Sequence, residues 1–119
     1  MPKSLLLVSR QAPWAGLAAR EALDLALAGG AFDLPVGMLF LDDGVFQLQV
    51  NQQPAHLQQK DLCANLQALP LFGIDALFVC SRSLKVRGIG GNSLALAAAE
   101  LEAGQIRDLF ARYDQVVTF

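Results

Sequence analysis

Short, unbroken apolar runs alternate along this chain with longer stretches in which apolar residues recur at helical spacing. "KSLLLVS" (3–9) is aliphatic and continuous, as strands buried on both faces of a parallel sheet are. "QAPW" turns at Pro13. "AGLAAREALDLALAGG" (15–30) then sets Leu17, Ala18, Glu21, Leu23, Leu25 and Leu27 among strong helix formers, with Gly29 and Gly30 as a stop. "LPVGMLFL" (34–41) predicts a second strand. In "PAHLQQKDLCANLQALPLFG" (54–73), Leu57, Leu62, Leu66 and Leu69 predict a second helix bounded by Pro70 and Gly73.

"DALFVC" (75–80) predicts a third strand, and "SRSLKVRG" one short helical turn closed by Gly88. "SLALAAAELE" (93–102) points two ways. Its alanines and leucines favour helix by propensity, whereas alternation with the flanking helices favours a strand. We assign a strand near 94–99. "EAGQIRDLFARY" (102–113) places Ile106, Leu109, Phe110 and Tyr113 on one helical face, and "DQVVTF" (114–119) predicts a last strand. The order β-α-β-α-β-β-α-β predicts an α/β fold, a mostly parallel sheet with helices on both faces. Functional groups of such sheets gather at the carboxyl ends of strands. Arg10–Trp14, Asp42–Phe46 and Cys80–Arg82 would share that edge.

Composition narrows the function classes. The 119 residues suit one domain, and 54% hydrophobic against 17% charged residues gives ample core. So little charge leaves apolar surface, which suits a partner subunit. The net charge of −2 and a pI near 5.1 supply no basic field for a phosphate backbone, so no direct nucleic-acid binding is expected. Cys63 and Cys80 are not a short metal-ligand pair, and there is one histidine, so no structural zinc is expected. "MPKSLLLVSRQAPW" is too short in apolar residues for a signal peptide, and no run approaches a membrane span. A cytoplasmic protein without a disulfide is the expectation.

Candidate chemistry is sparse. Cys80 ends a strand and would sit at a helix start, where unpaired N–H groups favour thiolate; Arg82, Lys85 and Arg87 would add to this. The other reading of Cys80 is a buried, inert closure of an apolar strand. Cys63 lies on a helical apolar stripe and reads as core. "DDGVFQL" (42–48) offers two carboxylates for acid–base or metal chemistry, but Asp-Gly is first of all turn and cap chemistry. Phe46 and Leu48 read as core or as a partner-facing patch. "RGIGGN" (87–92) lacks the register of a phosphate loop, although Gly88–Asn92 could serve a small ligand in a flavodoxin-like fold. His56 reads as an exposed residue at a helix start, and no Ser/His/Asp order emerges.

Four stretches carry a resemblance. "SRQAPWAGLAAREALDLALA" (9–28), "LFLDDGVFQL" (39–48), "LPLFGIDALFVCSRSLKVRGI" (69–89) and "YDQVVTF" (113–119) together resemble the DsrE/DsrF-like sulfur-relay family, in its DsrF-type, TusC-like branch. The resemblance implies one domain over 1–119 folded as a three-layer α/β/α sandwich with a mainly parallel five-stranded sheet. It implies association with TusB-like and TusD-like subunits in a heterohexamer, a dimer of heterotrimers. That complex would take persulfide sulfur from a TusA-like donor and pass it to a TusE-like acceptor, toward 2-thiolation of the wobble uridine in tRNA. A DsrEFH-like setting in sulfur oxidation is the related alternative. In this family the sulfur-carrying cysteine is assigned to the TusD-like subunit, so the implied role is an accessory, non-catalytic subunit. Cys80 occupies the corresponding strand end, and a thiol-based transferase acting through Cys80 stays open. The residues Asp43, Gly44, Val45, Phe46 and Arg82 are the expected partner-binding set. No cofactor is expected.

Overall fold

The computed structural model describes residues 3–49, 64–90, 94 and 97–119. Five strands, β1 (Leu5–Ser9), β2 (Val36–Phe40), β3 (Ala76–Cys80), β4 (Ala99–Leu101) and β5 (Gln115–Thr118), form one sheet in the order β4-β3-β2-β1-β5. All four pairings are parallel. Helices among the described residues include α1 (Ala18–Ala31), α2 (Ser81–Val86) and α3 (Ala103–Arg112). A 3₁₀ helix spans Asp42–Leu48, and another, Leu69–Phe72, follows a helical stretch at residues 64–67. The predicted positions of Leu57, Leu62, Cys63 and His56 lie outside the described residues.

The continuous apolar runs are strands because both faces of the central sheet are covered, so successive side chains of opposite direction are both buried. Leu7, Met38, Phe40, Leu77 and Val79 point to one side, against Ala19, Ala22, Leu23 and Ala26 of α1. Leu6, Val8, Leu39 and Cys80 point to the other, against Ile106 and Leu109 of α3. Small residues allow close approach at Gly37, where an added Cβ would run into the Tyr113 hydroxyl. Burial raises the pKa of Tyr113 above its ordinary value, and Arg112 opposes that shift.

One predicted element is displaced. The fourth strand among the described residues is Ala99–Leu101, which meets the expected 94–99 only at Ala99; residues 95 and 96 lie outside the described residues. Leu94 makes an isolated antiparallel bridge to Gln49. The position is dictated by partners rather than by local propensity. Phe78 pairs with Ala99 and Cys80 with Leu101, and Glu102 immediately starts α3 through a capping box with Gln105.

The first and last strands of the chain, neighbours in the sheet, are stitched at its amino edge. Asp114 Oδ2 accepts from the Ser4 backbone N–H (2.8 Å) and the Ser4 hydroxyl (3.1 Å). These bonds, the backbone one first, hold the Asp114 carboxyl below its ordinary value of 3.8. A depressed carboxylate contributes stability that is present above its unfolded pKa and lost as pH falls through the folded one. Asp114→Asn is therefore expected to make the acid side of the stability profile shallower below about pH 4. Thermal melts of both proteins between pH 2 and 6 check this, and parallel profiles would refute it.

Candidate functional site

The carboxyl ends of β1, β2 and β3 lie side by side, and the segments leaving them are locked together by side chains from remote parts of the chain. β1 leads into the loop 10–17, β2 into the 3₁₀ helix Asp42–Leu48, and β3 directly into α2. The crossing at 42 is sharp: Asp42 has a φ of 53°, in the left-handed region that Asp tolerates better than most residues. Its backbone N–H donates to the Ser83 hydroxyl (2.9 Å), and its carboxylate takes Arg10 Nε at 2.8 Å. Arg87 bridges the next residue and α2, donating from Nε to Asp43 Oδ1 (2.9 Å) and from Nη1 to the Ser83 carbonyl (3.3 Å). Both ion pairs are partly exposed, so each is worth at most about 1 kcal/mol. Their effect is to fix geometry.

Beneath them the 3₁₀ helix is seated on β1. Gly44 lies so close to the Ser9 carbonyl that a Cβ has no room. Gln47, buried, donates from Nε2 to Ser9 Oγ (2.7 Å) and to the Gln11 carbonyl (2.9 Å). Above, Trp14 packs on Phe46 with ring centroids 5.2 Å apart while remaining 58% exposed.

Cys80 is a free thiol, 7% exposed, within the apolar cluster of Leu6, Val8, Leu39, Ile106 and Leu109. Its Sγ accepts from the Ser83 N–H at 3.4 Å, as an N-cap oxygen would, and so occupies one of the free donors of the first turn of α2. Arg82 and Lys85 project to solvent, whereas Arg87 is committed to Asp43. Of the expected partner-binding residues, Asp43, Phe46 and Arg82 reach the surface; Gly44 and Val45 are buried beneath them. Among the described residues, no group of three or more His, Cys, Asp or Glu side chains could hold a metal ion. Sequence reasoning missed the parts that Ser83 and Gln47 play in fastening the edge. Gln47 had a legible signal, being a polar residue between Phe46 and Leu48.

The family model described as DsrE/DsrF-like matches residues 3–119. The chain belongs to the DsrE/DsrF-like family. It is 67% identical over 118 residues to a protein of Pseudomonas aeruginosa named "Protein TusC homolog", covering 99% of each chain. A protein of the same name from Vibrio parahaemolyticus is 33% identical over 110 residues, 92% of this chain and 93% of that one. The fold matches the crystal structure of the ychN protein from E. coli with a TM-score of 0.77 over all of both chains, at 19% identity. That last likeness concerns the α/β fold alone. No helix among the described residues is long and apolar enough to cross a membrane.

Proposed function

We propose that this DsrE/DsrF-like protein is an accessory subunit of a TusBCD-like sulfur-relay complex. It acts in the cytoplasm and assembles with TusB-like and TusD-like subunits as a dimer of heterotrimers. The complex accepts persulfide sulfur from a TusA-like donor and hands it to a TusE-like acceptor for 2-thiolation of the wobble uridine in tRNA. Near-complete coverage of relatives named as TusC homologs supports the branch.

The observation that carries the accessory role is the setting of Cys80. A sulfur carrier must meet two successive partners, and its sulfur must be attacked in line by an incoming thiolate. Here the sulfur is buried among aliphatic side chains and engaged with the Ser83 N–H. The exposed features of the same edge are Asp43, Phe46, Trp14 and Arg82, which suit contact with a neighbouring subunit. Gly44 and Val45 set the height of that surface from below.

The test is co-expression with TusB-like and TusD-like chains, with an affinity tag on this chain alone. Both siblings are expected in the eluate in equal amounts. Recovery of this chain by itself, folded and monomeric, would defeat the proposal.

A further inference from the structure

The end of the sheet away from the candidate site carries the two most exposed large apolar side chains among the described residues, Leu71 (86%) and Phe32 (79%). Two connections meet there. Residues 31–35 lead from the last turn of α1 into β2, and residues 69–75 lead into β3. They are in contact. A Cβ on Gly30 would come within 2.9 Å of the Phe72 carbonyl oxygen and of Ile74, and β2 and β3 begin side by side, with Gly37 opposite Ala76. Phe32, Leu34, Pro35, Pro70, Leu71 and Phe72 are all exposed. A monomer rarely leaves so large an apolar cluster in water, and such clusters mark contacts with another molecule.

The charge around this cluster has one sign. The charged residues of the two connections are Asp33 and Asp75, both exposed, and neither carboxylate has an ion pair among the described residues. The bases at this end serve other places: Lys3 acts on Asp114, beyond β1, and Arg112 acts on Tyr113, on the α3 side of the sheet. The carboxyl end of α1 adds partial negative charge, with no base in its last turn to offset it. Asp33 is itself a costly choice. It follows the C-cap Phe32 with a φ of 58°, a position where glycine or asparagine is usual, and it sets a carboxylate against the negative end of the helix. Asparagine would hold the same shape without the charge. A residue that breaks a local rule at an exposed place is expected where function keeps it.

We propose that this amino edge is a second docking surface, and that its occupant is a different protein presenting an apolar segment flanked by lysine or arginine. Charge complementarity selects it. Two unpaired acids repel a phosphate backbone or an anionic lipid surface. An isologous contact between two copies would gather four carboxylates with no base of the patch between them. A basic, apolar segment covers the aromatic side chains and pairs both acids at once. The surface lies at the opposite end of the strands from Trp14, Phe46 and Cys80, so it stands whether or not the sulfur-relay reading holds.

The experiment replaces Leu71, whose side chain is in water, with the photoreactive residue p-benzoylphenylalanine in the full chain, irradiates the native cells, and sequences the cross-linked peptide by mass spectrometry. The expected adduct is with another protein, at an apolar segment holding lysine or arginine. In the same chain carrying Asp33→Asn and Asp75→Asn, its yield is expected to fall about fivefold, as two partly exposed ion pairs are lost. That double variant is expected to melt no lower than the parent, which makes the loss one of contact and not of fold. An adduct with a second copy, a lipid or a nucleic acid, an adduct at a segment without a base, or no adduct overturns the inference. So does a yield unchanged by the two substitutions. A lower melting temperature would also overturn it, because the two acids would then be serving the fold.

Discussion

Gly44→Ala is expected to destabilise the fold by about 1–3 kcal/mol, the usual cost of forcing extra volume into a packed site. The obstacle is backbone: the added methyl would overlap the carbonyl of Ser9, with Arg10 Cα close behind. A side chain could rotate away, but a strand end cannot. That carbonyl also accepts from the Leu41 N–H at 3.1 Å, so moving it disturbs the link between β1 and β2 at the edge where the site lies. The 3₁₀ helix would have to lift, straining the bonds of Gln47 to Ser9 and Gln11. Denaturant titration measures the loss, and a change within 0.5 kcal/mol of zero, the range usual for surface substitutions, would contradict this account. Sibling capture should fall with it, because Asp43 and Phe46 ride on the same turn.

Phe40→Ala is expected to cost about 3–5 kcal/mol. Phe40 is fully buried at the end of β2, and it belongs to the cluster that joins the sheet to α1, the 3₁₀ helix and α2. Truncation leaves a cavity whose walls are strands and cannot collapse freely. Domains have only about 5–15 kcal/mol in all, so the variant should unfold at much lower denaturant concentration with little change in slope. A midpoint shift worth less than 1 kcal/mol would mean that the region is looser than the structure has it.

Much of this fold was legible because its strands are buried on both faces. LLLVS and ALFVC read as strands without help from any partner, and "EALDLALAGG" read as a helix from propensity and its glycine stop. The fourth strand was not. AEL is three residues long, sits in an alanine-rich stretch without a β-branched residue, and owes its place to Phe78–Cys80 and to the cap at Glu102. The site was half legible. Topology brought Arg10–Trp14, Asp42–Phe46 and Cys80–Arg82 to one edge, as strand order implied. The bonds that fasten this edge, Asp43 to Arg87 and Asp42 to Ser83, span more than 40 residues and have no periodic signal. The sequence left the thiol of Cys80 open between reactivity and packing. Its burial and its cap bond to Ser83 are tertiary facts.

The central claim is that this subunit supports the relay without carrying sulfur, and replacement of Cys80 by serine tests it most directly. Serine keeps an acceptor for the Ser83 N–H, so the fold and the complex should survive. The measurement is the fraction of 2-thiolated wobble uridine in tRNA from cells in which Cys80→Ser is the only copy of this chain. The account predicts the parental level. A fall to the level of cells lacking the chain, with the complex still assembled, would make Cys80 a sulfur carrier and contradict it.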